Sequence, residues 1–482
     1  MNTTLLAFVI LYLVGTMAIG MYAGTRIKST ADFAVAGHSL PLAMVITTTF
    51  ATWFGAETVM GIPAKFVEGG LNAVIEDPFG ASMCLVLVGA FFASRLYKMS
   101  LLTIGDFYRQ RYGKGVEIFC SVAIILSYLG WVAAQITALG LVFAVLSGGA
   151  IAPASGMVIG TALVLAYVMV GGMLAVAWTD FVQMIVLVVG LSFIANLAAD
   201  QAGGVDKVLA LADAKDWFRI LPEATPHGWT WFVAAAITMM FGSIPQQDVF
   251  QRVMSAKDSD TARTGAIIGG LSYLAFAFVP MFIVASALII MPAETQDLLA
   301  NDPQKVLPTL ILSKMPLVAQ IFFFGALVSA IKSTSSATLL APSTSFVENI
   351  LKNIRPGMSD RQLLLAMRIT LLVFTALVLT YAIVMEGTAI YDLVSAAYQI
   401  PLVGAFIPLT CGLYWRRATT QGAILSIVLG IGTLTLFTLH AGLGEAFPGQ
   451  LAGLLMAALG MLVGSLAPQF IAAPRTRMAY QT

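Results

Sequence analysis

Charge is what this sequence has least of. Only 10% of the 482 residues are Asp, Glu, Lys or Arg, and 25 basic against 24 acidic side chains leave a formal net charge of +1. Binding to a phosphate backbone draws on a basic excess, so nucleic acid is not an expected partner. Cysteine is equally scarce: Cys84, Cys120 and Cys411 fall inside or beside apolar runs without paired spacing, which predicts neither a disulfide framework nor a thiolate metal site. The three histidines, His38, His227 and His440, stand far apart in loop-like stretches, a scatter that argues against a zinc or iron cluster. No cofactor is implied, and no obligate protein partner.

Apolar side chains are what is abundant. They make up 59% of the chain, and a mean hydropathy of +0.91 makes lipid the solvent for most of it. Met1 to Thr4 carries no basic stretch and the first apolar run continues to about Gly24, longer than the core of a cleaved leader, so it reads as a retained helix. Thirteen runs are long enough for helices of about 20 residues or more. They fall near 4–24, 41–65, 74–97, 116–147, 151–171, 174–198, 229–248, 262–292, 317–350, 362–385, 388–414, 420–440 and 449–472. The expected fold is thus all-α and membrane-integral, one transmembrane unit over 1–482.

Positive charge sets the expected orientation. Arg26 and Lys28, then Arg95, Lys98, Arg109, Arg111 and Lys114, then Arg252, Lys257 and Arg263 fall on alternate loops. Lys352, Arg355, Arg361, Arg416, Arg417, Arg475 and Arg477 continue the series. The positive-inside rule makes that side cytoplasmic, with the N-terminus outside and the C-terminus inside the cytoplasmic (inner) membrane. The loops 201–229 and 292–316 then lie outside, where amphipathic stretches such as Val205 to Trp217 can rest on the face as lids.

Ionisable residues deep in such runs are paired or functional by default, since each costs several kcal/mol to insert. Four stand out: Glu57, Asp180, Asp248 and Lys332. Asp77 and Asp392 lie nearer predicted ends and read as solvated. The second run, LPLAMVITTTFATWFGAETVMGIPAKF, carries Gly55, Gly61 and Pro63 among small and hydroxylated residues. That composition predicts a helix broken at mid-membrane, with free carbonyl oxygens; an ordinary glycine-rich packing interface is the alternative. The ninth run contains SAIKSTSSATLLAPSTS, in which Ala330, Ser333 and Thr334 share a face at i, i+3 and i+4. Such a face can add hydroxyl and carbonyl oxygens to those of a broken helix, the arrangement a hard monovalent cation needs, although Ser and Thr also join membrane helices by plain hydrogen bonds.

At this point the chain resembles the sodium:solute symporters, which include proline, sialic acid, sugar and high-affinity choline transporters. The resemblance covers most of the chain and rests on ADFAVAGHSL, FATWFGAETVMGIPAKF, TIGDFYRQRYGK, GGMLAVAWTDFVQ, IPQQDVFQRVMSAKD and SAIKSTSSATLL in that order. The FATW segment and the IPxQxxFQR pattern look most like the choline-transporter branch. The resemblance implies a five-plus-five inverted-repeat (LeuT-type) core. One extra helix (1–30) would precede repeats at 38–200 and 229–415, and two helices in 416–482 would follow. It also implies a sodium site made of the carbonyls of Ala51, Phe54 and Ala330 with the hydroxyls of Ser333 and Thr334, and it makes Asp180 a coupling carboxylate. Two positions depart from the family pattern. Lys332 stands where relatives are usually apolar, and Ala337 replaces a hydroxyl of second-sodium sites. Lys332, on one face with Ser329 and Ser336, is accordingly expected to pair with Asp180 as a built-in cation, giving one sodium per cycle; its alternative is a structural tie or a snorkelling lysine.

For substrate, Trp53 and Trp131 match aromatic positions of a choline cage, whereas Ala81 and Gln246 stand where aromatics are expected. The pocket, with Glu57 beside it, therefore leaves a quaternary ammonium, a zwitterion and a carboxylate open, the last two through Gln246. The function expected is sodium-coupled import of a small polar organic solute, without covalent chemistry. Three rivals are a membrane enzyme using Asp180 or Asp248 as base, for which no nucleophile or phosphate loop is present; a sensor, for which the stretch after residue 472 leaves no signalling domain; and a proton-coupled or sodium-independent carrier in which Lys332 replaces the cation.

Overall fold

The computed structural model describes residues 3–25 and 29–471; Arg26, Lys28, Arg475 and Arg477, and the stretch after residue 471, lie outside the described residues. Every apolar run of the sequence is helical, because a backbone in lipid has to satisfy its polar groups within its own segment. In chain order the main helices are α1 (Thr3–Gly24), α2 (Leu42–Trp53), α3 (Ile62–Ala73), α4 (Ile75–Tyr97), α5 (Lys114–Leu146) and α6 (Pro153–Ala202). They continue with α7 (Pro226–Gly242), α8 (Gln247–Ser255), α9 (Ser259–Ile290), α10 (Leu317–Ser345), α11 (Asp360–Val384), α12 (Ile390–Tyr414), α13 (Thr420–Leu439) and α14 (Gly449–Leu466). Among the described residues no β-strand forms, and nine helices are each long and apolar enough to cross a membrane, or ten with the bent α7–α8 pair counted as one.

Two helices are interrupted where the sequence places small residues. The second run breaks after Trp53: Phe54 leaves helical geometry (φ −86°, ψ 67°), and the chain resumes through a wide turn at Glu57–Gly61 into α3. The run expected at 229–248 is not straight. It bends by 47° between α7 and α8, and all nine residues of α8 are buried against α2, α9 and α10. Asp248 and Arg252 are therefore inside the bundle, and Arg252, read from the sequence as a loop charge, is only 2% exposed. The signal was the Gly242 to Pro245 segment, which cannot continue a helix.

Further departures concern charge and register. Asp77 is not a solvated helix end; it is 2% exposed where α4 opens at its first turn, beside a buried Glu76. Asp392 is exposed, as expected. The fifth and sixth runs form one helix, α6, whose two arms meet at Gly172 (φ 50°, ψ −159°). The connections 203–225 and 291–316 carry the short helices Val205–Ala214, Pro292–Asn301 and Val306–Lys314, and Trp217 packs its ring 5.0 Å from that of Phe66 on α3.

The helix that organises the rest is α10. From Phe323 to Ser345 every residue is buried, hydroxyls included. Such a helix is tolerable because most of its hydroxyls bond back to their own backbone one turn earlier: Ser335 to Ile331, Ser336 to Lys332, Thr338 to Thr334, Ser343 to Leu339 and Thr344 to Leu340.

The Gly172 junction is testable. Its backbone lies in a region open to glycine alone, and a Cβ there would stand 2.8 Å from the Phe33 carbonyl. Gly172→Ala is expected to cost about 1–3 kcal/mol of stability, read as a lower unfolding temperature and lower yield of monodisperse protein in detergent; an unshifted transition contradicts the assignment.

Candidate functional site

The break in the second run leaves α2 with open carbonyls at its C-terminal, partially negative end. Side chains from other elements come to them. Thr334 Oγ1 on α10 donates to Thr52 O at 2.9 Å and lies 3.4 Å from Ala51 O, and Thr58 Oγ1 donates to Trp53 O at 2.8 Å. On the other side of the break, Ala56 N–H donates to Gln135 Oε1 on α5 at 3.0 Å. Gly55 is required here by close approach: a Cβ would lie 2.7–2.8 Å from Thr334 Oγ1, Gln135 Oε1 and Glu57 Oε2.

Ser333, next to Thr334, donates to Asp180 Oδ1 on α6, and Thr48 Oγ1 on α2 donates to Oδ2 at 2.6 Å. Ser333 and Thr334 are thus the hydroxyls of the central serine–threonine cluster that turn away from their own helix toward α2 and α6, with Ala330 one turn earlier on the same face. Ser336 does not join them, since its hydroxyl is used on the Lys332 carbonyl. Lys332 is 3% exposed and donates from Nζ to Thr16 Oγ1 on α1 at 2.9 Å. The expected ion pair with Asp180 is not formed among the described residues, because two hydroxyls already occupy the carboxylate.

Beneath this lies a feature that sequence reasoning missed. Arg252 Nε donates to Thr52 Oγ1 at 2.6 Å and reaches Thr48 O at 3.3 Å, and its Nη1 donates to the Asp248 carbonyl. Asp248 Oδ1 accepts from Tyr128 at 2.6 Å. A guanidinium that reads as a loop charge therefore ties α8 to α2.

The other face of the break is aromatic. The Trp53 ring lies 5.8 Å from Trp131 and 5.9 Å from Tyr398, the latter stacked at 14°, and Trp131 also stacks on Tyr128 at 6.0 Å. Glu57 closes the group: Oε1 accepts from Trp131 Nε1 at 3.1 Å and Oε2 from Gln135 Nε2. Gln246, at the start of α8, donates to Ser127 at 2.8 Å, one turn from Trp131. Trp53, Glu57, Trp131 and Gln246 are each 1% exposed. Yet Trp53 Nε1, Gln246 Oε1 and the Tyr398 hydroxyl have no hydrogen-bond partner among the described residues, an uncommon state for buried polar atoms and one that a polar solute would relieve. Tyr398 and Gln135 were not singled out from the sequence; Gln135 was legible as a lone amide in an apolar run. Ala81 is buried away from exposure as a small side chain. A separate groove of about 900 Å³ between α5, α10 and α11, lined by Leu129, Phe346, Arg355 and Phe374 among others, contains none of these residues.

A family model, the sodium:solute symporter family, matches residues 33–430. The chain belongs to this family. It is a sodium-coupled symporter of small organic solutes, a transporter rather than an enzyme. Among curated relatives it is similar to the human high affinity choline transporter 1, 26% identical over 444 residues covering 89% of this chain and 75% of the relative. The sodium/sialic acid symporter NanT of Aliivibrio fischeri is 26% identical over 479 residues, covering 95% and 92%. Choline transporters recur among the relatives, which supports the choline-transporter-like branch. The fold matches a Na+-coupled sialic acid symporter solved in a substrate-bound outward-open state, with a TM-score of 0.83 at 20% identity over 98% of this chain and 99% of that one. The LeuT-type architecture follows from this likeness together with two further LeuT-type transporter structures.

Because three oxygens crowd Gly55, Gly55→Ala is expected to displace Glu57 and Thr334 while leaving the bundle folded. Sodium-driven uptake into proteoliposomes should fall at least about tenfold with little change in unfolding temperature; unaltered uptake contradicts the close approach.

Proposed function

We propose that this symporter imports a small polar organic solute across the cytoplasmic membrane, with its N-terminus outside, its C-terminus inside and thirteen spans in all. Repeats at 38–200 and 229–415 rock against each other, flanked by an extra helix in 1–30 and two in 416–482. The sodium ion is held by the carbonyls of Ala51, Phe54 and Ala330 and the hydroxyls of Ser333 and Thr334. One observation carries this assignment: Thr334 already bonds the open end of α2 while Ser333 bonds Asp180, so an ion bound there links α2, α6 and α10. Hard oxygens at the negative end of a helix suit sodium. The solute pocket is formed by Trp53, Glu57, Trp131 and Gln246, on the far side of the same break.

Coupling then follows from simultaneous occupancy. Sodium entering from outside orders the break and completes the adjoining pocket; rocking of the repeats releases both ligands inside. The membrane potential adds roughly 2.3 kcal/mol per charge per 100 mV to the driving force. Lys332 serves as a fixed positive charge near Asp180, in place of a second sodium, with Ser336 capping its carbonyl. Its bond to Thr16 gives α1 a part in holding that charge.

In uptake assays Ser333→Ala is expected to raise the sodium concentration for half-maximal transport by about tenfold or more, the loss of one charge-assisted contact; a wild-type sodium dependence removes Ser333 from the site. Lys332→Met should move the sodium Hill coefficient away from its wild-type value, and an unchanged coefficient removes the fixed-charge role.

A further inference from the structure

On the α3 side of the break the structure gathers acid without base. Glu57, Glu76 and Asp77 are 1%, 6% and 2% exposed, and none of them takes part in an ion pair among the described residues. They are joined to the aromatic group by short links. Tyr273 donates to Asp77 Oδ1 and contacts Thr58 Oγ1 at 3.0 Å, with its ring 6.4 Å from that of Trp53. Ser395 donates to Glu76 Oε2 at 2.8 Å, one turn before Tyr398, the residue stacked on Trp53. The buried bases Arg252 and Lys332 lie on the other side, bonded to Thr52 and Thr16.

Of the polar atoms left without partners among the described residues, four belong to the aromatic group and the acids joined to it, while the donor Arg252 Nη2 and the acceptor Asp248 Oδ2 are open on the α8 side. Glu76 Oε1 and Gln246 Oε1 accept only, and the Tyr398 hydroxyl can do so; Trp53 Nε1 is the donor of the group. Each of these side chains is at least nine-tenths buried. A buried carboxylate near apolar rings is costly unless a cation or donors meet it. Each Glu57 oxygen accepts one N–H bond, from Trp131 and from Gln135, and keeps a second lone pair for a ligand donor. Among the described residues no group of three or more His, Cys, Asp or Glu is placed to hold a metal. A quaternary ammonium would suit the rings but has no donor for the open acceptors, and an anion would meet three carboxyls that form no ion pair among the described residues, with the Arg252 guanidinium bonded to Thr52 on the α8 side.

We propose that the solute is an organic cation bearing N–H donors, a protonated amine or a guanidinium, seated on Trp53, Trp131 and Tyr398 with Glu57 as its counter-ion. The rings supply cation–π attraction and the carboxylate a charge-assisted hydrogen bond, so one cationic head satisfies both. Glu76 adds an open acceptor oxygen on the α4 side, which favours a donor-bearing head over one without donors. This names the substrate class of the pocket described above and rests on the symport reading.

The test is ligand-induced thermal stabilisation of the purified full chain in sodium and in potassium, with propylammonium, guanidinium, choline, proline and lactate as probes. Propylammonium or guanidinium is expected to stabilise the protein in sodium, more strongly than choline, with no effect from proline or lactate. In Glu57→Gln the affinity for that amine should fall about 10- to 100-fold, while choline changes little. Stabilisation in sodium by choline, proline or lactate without either amine overturns the proposal, as does an amine affinity unchanged in Glu57→Gln; both leave sodium coupling intact. The wild-type ranking of probes does not depend on any variant folding. Binding that is equal in sodium and potassium overturns the symport reading, and the proposal with it.

Discussion

A membrane helix that stops in mid-bilayer exposes backbone carbonyls with no water to meet them, and the arrangement of this protein answers that constraint at Phe54 and Gly55. The last carbonyls of α2 are met by Thr334 and Thr58, and the first amide beyond the break by Gln135. Each partner comes from, or is fixed by, a different element, so the break can exist only while α5 and α10 are packed against it. The same residues then define two faces. Toward α6 and α10 lie oxygens, Ser333, Thr334 and Asp180; toward α5 and α12 lie rings and the Glu57 carboxylate. A cation on one face and a solute on the other would share the strand of backbone between them, which is the physical basis for coupling without any chemical step.

α10 shows why a run of serines is not itself a site. Most of its hydroxyls are spent on their own helix, and only those that turn outward carry information about ligands. Spacing puts Ser333 and Thr334 on one face with Ala330, at i+3 and i+4, and Ser336 on another with Ser329 and Lys332, but it does not say which hydroxyls find partners across the bundle. That comes from tertiary packing, which gives Ser333 an acidic partner across the bundle and gives Ser336 none.

Much of the architecture could be read in advance because lipid enforces a simple grammar of long apolar runs, and the break at Gly55 was visible in its glycines, proline and hydroxyls. What could not be read was which charges lie inside. Arg252 follows a polar stretch, QQDVFQR, and looks like a loop until the α7–α8 bend carries the whole of α8 inward. Asp77 sits at the edge of an apolar run, yet Tyr273 from a distant segment covers it. The expected Lys332–Asp180 pair fails for a related reason: helical spacing shows which side chains share a face but not that Thr48 and Ser333 reach the carboxylate first. Pairings across more than a hundred residues are decided by packing, to which local pattern is blind.

The central claim is that the open end of α2 and the outward hydroxyls of α10 together bind sodium. Equilibrium binding of radioactive sodium to the purified protein, wild type against Thr334→Ala, addresses it without knowledge of the solute. The account predicts saturable binding of one sodium per chain that is lost or severely weakened in the variant, with the protein still folded. Absence of saturable sodium binding in the wild type, or binding that survives unchanged in Thr334→Ala, would contradict it.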